Sequence, residues 1–155
     1  PGRGPREDPQ RQDRAQRMSD IYLYFKVLGV PAPQGSKRHV GRGILVESSK
    51  KVAPWREAVK WEAIKVHQGR PPLQGAIHVS VDFRVPAPKK LKAGQEPTTR
   101  TSGDIDKLLR STFDAITDSG MIRDDSHIVS VTATKRFADD ENPPQAVIGI
   151  GPYPS

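Results

Sequence analysis

The chain has no cysteine, which excludes disulfides and any zinc site built on thiolates. It has no apolar run approaching the roughly 18 residues that a membrane span requires. Residues 1–17 are charged and contain no apolar segment of the kind that marks a secretory leader. A reducing compartment is compatible with all three absences, and the expected location is the cytoplasm. What the chain does have is basic charge. There are 25 Lys and Arg against 18 Asp and Glu, a net of +7 over 155 residues. That length suits one domain able to bury a core without staples.

The excess of positive charge is distributed along the chain. Residues 1–17, "PGRGPREDPQRQDRAQR", carry five Arg against Glu7, Asp8 and Asp13, leaving +2 there and +5 in residues 18–155. A basic surface of this kind suits nucleic acid or another polyanion. With Ala15 its only apolar side chain, the 1–17 segment has too little to bury to offset its ordering entropy. It is read as a disordered basic extension, with Met18 a natural start and a DNA-binding arm as the functional alternative. Residues 18–155 are read as the folded domain.

Alternation in 20–29 sets Ile21, Leu23, Phe25 and Val27 against Tyr22, Tyr24, Lys26 and Leu28, predicting a mostly buried strand. A Pro/Gly-punctuated loop follows over 30–43. A helix is predicted over 53–69, with Pro54 in its first turn and Gly69 as its stop. Residues 76–85 alternate cleanly, with Ile77, Val79, Val81, Phe83 and Val85 inward. The long loop 86–103 carries Lys89, Lys90, Lys92 and Arg100; a loop of that length inside a domain is usually functional or mobile. Residues 105–118 predict a second helix with Leu108, Leu109, Thr112, Phe113 and Ile116 inside and Gly120 as its stop. Strands are expected at 126–137 and 146–150, joined by a hairpin-like turn. The order β-α-β-α-β-β predicts an α+β domain, a mixed sheet with two helices packed on it.

Within this basic chain, "GDIDKLLRSTFDAITDSGMIRDDSHIVSV" (103–131) concentrates acid. Asp104 and Asp106 are two residues apart and point the same way if the backbone there is extended. Asp125 meets them if the strand after it starts near the N-terminus of the helix. Two carboxylates at 4 Å repel by about 4 kcal/mol at an effective dielectric near 20, and a divalent cation removes that repulsion. Oxygen-only ligands favour Mg2+ or Mn2+. The bland reading stands beside this one. Asp106 suits an N-cap, and Asp124-Asp125 suits an ordinary turn. An EF-hand is excluded, because Leu109 and Ala115 occupy the positions of its Gly and Glu. Arg110, four residues after Asp106, shares its helical face. It is either a partner of Asp106 or Asp114 or a cation aimed at a phosphate. Lys107 points elsewhere, toward solvent or a polyanion.

Taken together, "DIDKLLRSTFDAITDSGMIRDDSHIVSVTATKR" (104–136) resembles the signature of the RusA family of Holliday-junction resolvases, of the phage and prophage type. "GVPAPQGSKR" (29–38) and "PWREAV" (54–59) resemble it as well. The resemblance implies a homodimer that binds four-way DNA junctions and nicks them with Mg2+, for which Mn2+ is a possible substitute, in recombination and repair. The family's metal-binding acids fall at Asp104, Asp106 and Asp125, and its catalytic Lys falls at Arg110. Arg keeps the charge but does not readily give up a proton. "TSGD" stands where many members have Lys-Pro. Lys37, Arg38, Lys89, Lys90, Lys92 and Arg136 are candidate phosphate contacts, each otherwise a solvated surface charge. The alternatives are a non-catalytic junction- or duplex-binding protein of the same fold, and a basic structural protein whose acids cap helices.

Overall fold

The computed structural model describes residues 21–35 and 42–154, the side chains of 42–49 excepted. The extension 1–17, Met18, Lys37 and Arg38 lie outside the described residues. The elements run β1 (Leu23–Leu28), α1 (Arg42–His67), β2 (Ile77–Val85), α2 (Ile105–Asp118), β3 (Ile128–Phe137) and β4 (Gln145–Pro152). This is the expected β-α-β-α-β-β order. Four strands form one mixed sheet in the order β1-β4-β2-β3. Among the described residues, no helix is long and apolar enough to cross a membrane.

The alternation of β2 is realised residue by residue. Ile77, Val79, Val81, Phe83 and Val85 are all buried, and each is worth about 1.5–3 kcal/mol relative to exposure. The two helices cover that face. Trp55, Val59 and Ala63 of α1 meet Leu108, Ala115 and Ile116 of α2 in the same core. Two polar contacts tie the helices together: Trp55 Nε1 donates to Thr112 Oγ1 at 3.3 Å, and Arg56 pairs with Asp118 at 2.8 Å.

Three expectations are corrected. The first is the helix over 53–69, which begins at Arg42, so Pro54 lies inside it rather than in its first turn. Pro54 is exposed, and buried Trp55 and Val59 follow it directly, so packing holds the helix past a residue that forfeits one backbone bond. The helix closes as expected, with Gln68 and Gly69 both at positive φ. The second is β1, which is an edge strand rather than a mostly buried one: Tyr24 and Leu28 are 69% and 64% exposed.

The third correction is topological. β3 and β4 do not form a hairpin, because β2 lies between them. β3 runs parallel to β2, while β4 inserts antiparallel between β1 and β2. Composition explains the choice. β4, "QAVIGIGP", is buried along almost its whole length and belongs in the middle. β3, "IVSVTATKRF", has no fully buried residue and belongs at an edge. Its outer face is polar, with Ser130 Oγ bonded to His78 Nδ1 at 2.8 Å and Thr134 donating to Asp82. The 138–144 loop crosses the end of β2, where Ala138 N–H donates to Val85 O at 2.7 Å.

Candidate active site on the second helix

α2 begins where the sequence places it, but its cap is shifted. Asp104 is the N-cap, with extended backbone and no side-chain capping bond, and Asp106 sits in the first turn. The expected N-cap at Asp106 is thereby moved two residues upstream. Asp104 uses its carboxylate elsewhere: Oδ2 lies 3.4 Å from Lys107 Nζ. Lys107 therefore turns toward the acids, not away from them.

The backbone under Asp104 is held from several sides. Gly103 is buried at φ 87°, and a Cβ there would stand 3.2–3.3 Å from Pro33 and Leu108. Leu108 N–H donates to Asp104 O at 3.0 Å, and Gln34 N–H donates to Lys107 O at 3.1 Å. Ser111 Oγ reaches Ala32 O at 2.7 Å. The "PAPQ" stretch (31–34) thus clasps the first turns of α2.

Asp125 opens a short 3-10 turn before β3, and that turn packs against α2. Its charged neighbours are Asp124, Asp114 and Arg110. The carboxyl of Asp125 is held above its ordinary pKa, chiefly by a hydrogen bond shared with Asp124, then by slight burial and by the charges of Asp124 and Asp114; Arg110 opposes the shift. Asp124 moves the other way, below its ordinary value, because Ser126 N–H donates to it at 3.0 Å and Asp125 bonds to it.

The arrangement is a strip along α2. Asp104 and Asp106 stand at its N-terminal end. Exposed Arg110 follows one turn on, and Asp114 another turn on, with Asp125 opposite these two. β3 passes the helix in the opposite sense: its start lies by Arg110 and Asp114, and its far half, through Lys135, reaches Gly103. The strand therefore does not start at the N-terminus of α2. Among the described residues, no group of three or more Asp, Glu, His or Cys is gathered closely enough to hold a metal.

The donor chemistry nevertheless fits a hard divalent cation. Carboxylate oxygens dominate the strip, with no thiol in the chain. Within the clasp, the buried Gln34 Oε1 has no hydrogen-bond partner among the described residues. Lys89, Lys90 and Lys92 are exposed on the 86–103 loop. A groove of about 770 Å3 opens next to that loop, with Lys51 and Arg100 among its lining.

Two residues escaped the sequence reading. Asp114, which the sequence suggests only as a partner for Arg110, adds charge at Asp125. The sequence points to Arg136 at the end of β3, but the structure uses Lys135 beside it. Arg136 pairs in register with Arg84 on the open face of the sheet, whereas Lys135 pairs with Phe83 on the face covered by the helices. The alternation held the signal. Val131, Ala133, Lys135 and Phe137 share one parity, and a lysine among such positions needs a reason.

The chain is a small α+β domain, a mixed sheet with two helices packed on it, that carries an exposed acidic strip beside a clasped loop in an otherwise basic chain. Comparison makes the class specific. The sequence model described as "Endodeoxyribonuclease RusA" matches residues 29–150. The chain belongs to the RusA family of endodeoxyribonucleases, enzymes that act on Holliday junctions. No curated protein matches the chain.

Proposed function

We propose that this protein resolves four-way DNA junctions by hydrolysing phosphodiester bonds with Mg2+, or Mn2+ in its place. It works as a homodimer in the cytoplasm, in recombination and repair. The family match, whose span of residues 29–150 includes the acidic strip, carries the reading. Asp104, Asp106 and Asp125 would hold the cation, with the exposed turn of Asp125 moving toward the other two as it binds. When bound, the cation supplies an activated water and neutralises charge on the phosphate.

The other roles follow from side-chain chemistry. Arg110 lies between the two groups of acids and faces the same strip. A guanidinium stays protonated, so its part is to offset negative charge developing on phosphorus oxygens, not to donate a proton. Asp124 shares a hydrogen bond with Asp125 and holds the turn through Ser126. Lys37, Arg38, Lys89, Lys90 and Lys92 are proposed phosphate contacts that position the junction. Arg136, on the opposite face of the sheet from α2, would contact a different arm of the DNA from the one being cut.

A labelled synthetic four-way junction tests the reading. Paired nicks on opposing strands are expected with Mg2+ or Mn2+, and binding without cutting is expected in Ca2+ or EDTA. Equal cleavage in EDTA overturns the metal dependence. Binding without cutting in every metal identifies a non-catalytic junction-binding protein.

A further inference from the structure

Lys135 is a half-buried lysine on the helix-covered face of β3, in register with fully buried Phe83. Its ammonium has a specific destination. Nζ donates to Gly103 O at 2.7 Å and to Ser102 Oγ at 3.0 Å. Among the described residues it forms no ion pair with a carboxylate. A charged donor at 2.7 Å from a backbone carbonyl makes a strong bond. Here that carbonyl belongs to the residue immediately before Asp104.

Ser102 extends the contact into the loop. Its hydroxyl also lies 2.6 Å from Thr99 O and 3.0 Å from Pro97 O. Ser102 N–H donates to Thr99 O, and Gly103 N–H donates to Arg100 O, each at 3.1 Å. One ammonium on the sheet therefore gathers residues 97–103 and fixes the peptide that carries Asp104 into the helix. Packing of Gly103 against Pro33 and Leu108 limits motion toward the core; Lys135 ties the same peptide to the sheet.

The geometry points to Lys135 as the residue that positions the D-x-D carboxylates: a strut from β3 to the backbone of Gly103 that sets where Asp104 and Asp106 stand before a cation or DNA arrives. It touches neither substrate nor cation. This inference rests on the proposed metal-dependent function for its consequence, but not for the strut itself. Groups behind the ligands of a metal commonly govern affinity by roughly 10- to 100-fold.

Lys135→Met keeps the length and removes charge and donors; Lys135→Arg keeps both. Three quantities are measured: amide hydrogen exchange in EDTA, Mn2+ affinity by calorimetry, and melting temperature. In Lys135→Met, exchange at Gly103, Lys107 and Leu108 is expected to rise roughly tenfold, the loss of one bond to a charged donor, with exchange in β2 unchanged. Mn2+ affinity is expected to fall by roughly 10-fold or more, with Lys135→Arg recovering most of it. Unchanged exchange at 103–108 overturns the strut. Raised exchange with unchanged Mn2+ affinity overturns its role in positioning the acids. If wild type takes up no Mn2+, the proposed function fails, while the exchange result still decides the strut. If Lys135→Met does not fold, Lys135→Gln decides it: the shorter, uncharged side chain removes the ammonium from Gly103 O while leaving Ser102 and its own bonds intact, and the same exchange must rise.

Discussion

Asp104 stands on a peptide braced by Lys135, by packing at Gly103 and by the 31–34 clasp. Asp125, across the same charged strip, stands on an exposed turn whose main side-chain tie is to its neighbour Asp124. One group of acids is fixed by backbone bonds from two other elements; the other is held by a short local turn. The contrast separates a preorganised part of the site from an adjustable one. Preorganisation matters most for groups that must be in place before charge arrives. An adjustable carboxylate whose ionisation depends on its neighbour suits a group that responds to that charge.

The largest expected effect tests whether both parts belong to one site. Asp104→Asn, Asp106→Asn and Asp125→Asn should each lower junction cleavage by roughly 100-fold or more, with junction binding retained or tightened because repulsion toward phosphate falls. In EDTA Asp125→Asn should melt at or above the wild-type temperature, and Asp104→Asn and Asp106→Asn within a few degrees of it, because they forfeit the Lys107 ion pair and a charge in the first helical turn. Asp104→Asn in particular loses no side-chain cap bond, since none exists. Full activity in any two variants would leave only capping and turn formation for these residues.

Next in size is Arg110, which faces both parts. Arg110→Ala should also cut cleavage by roughly 100-fold while junction affinity stays within a few-fold, and Arg110→Lys should keep most activity. Wild-type cleavage by Arg110→Ala would make the residue a surface charge.

A third comparison isolates the bracing. Gly103 and Gly120 both adopt positive φ, at 87° and 84°, but only at Gly103 would a Cβ meet neighbours within 4 Å. Backbone strain of this kind costs on the order of 1–3 kcal/mol. Gly103→Ala should therefore lower the melting temperature more than Gly120→Ala, and it alone should weaken Mn2+ binding. Equal losses would show that the crowding by Pro33 and Leu108 is readily relieved.

The smallest effect concerns the adjustable part. Asp125 sits above the ordinary 3.8 and Asp124 below it. A raised carboxyl pKa stabilises the fold below 3.8, and that contribution is lost as pH rises through the folded value. A lowered one stabilises above 3.8, and is lost as pH falls through the folded value. The two contributions oppose each other, but Asp139 is also held below its ordinary value, chiefly by the backbone N–H of Asn142, so the melting temperature should fall modestly as pH drops from 6 to 3. Mn2+ binding needs Asp125 ionised, and Asp124→Asn removes the neighbouring charge that holds its proton. The acid limb of Mn2+ binding should move to lower pH in that variant. A limb that does not move removes Asp125 from the metal site.

The sequence revealed the elements better than their arrangement. β2 and α2 were legible because their apolar positions repeat at two and at three to four residues, and burial on one face requires those periods. The start of α1 was hidden by Pro54, which looks like a beginning and is an interruption overcome by packing around Trp55 and Val59. The place of β4 was obscured by the short 138–144 turn, which reads as a hairpin when only chain distance is considered. The bare continuity of "AVIGI" was the stronger clue to a central strand. The acids were legible as a motif, whereas their spacing along α2 depends on the direction in which β3 passes the helix, and no local pattern encodes that. Lys135 was hidden for the opposite reason: it breaks its strand's pattern, and a break is easily discounted as an edge.

The central position of β4 has a consequence for the order of synthesis. β1 pairs with β4 alone, and its register partners lie more than 100 residues later, Leu23 opposite Ile150 and Leu28 opposite Gln145. On a ribosome, β1 emerges first and waits for its partner until nearly all of the remaining domain has been made. The bracing of Gly103 by β3 becomes available earlier, but the sheet that anchors β3 gains its fourth strand only with residues 145–152. Such non-local closure slows folding. A nascent chain stalled before β4 would present both the free edge of β1 and the uncovered edge of β2, the kind of surface that recruits chaperones or a second nascent chain.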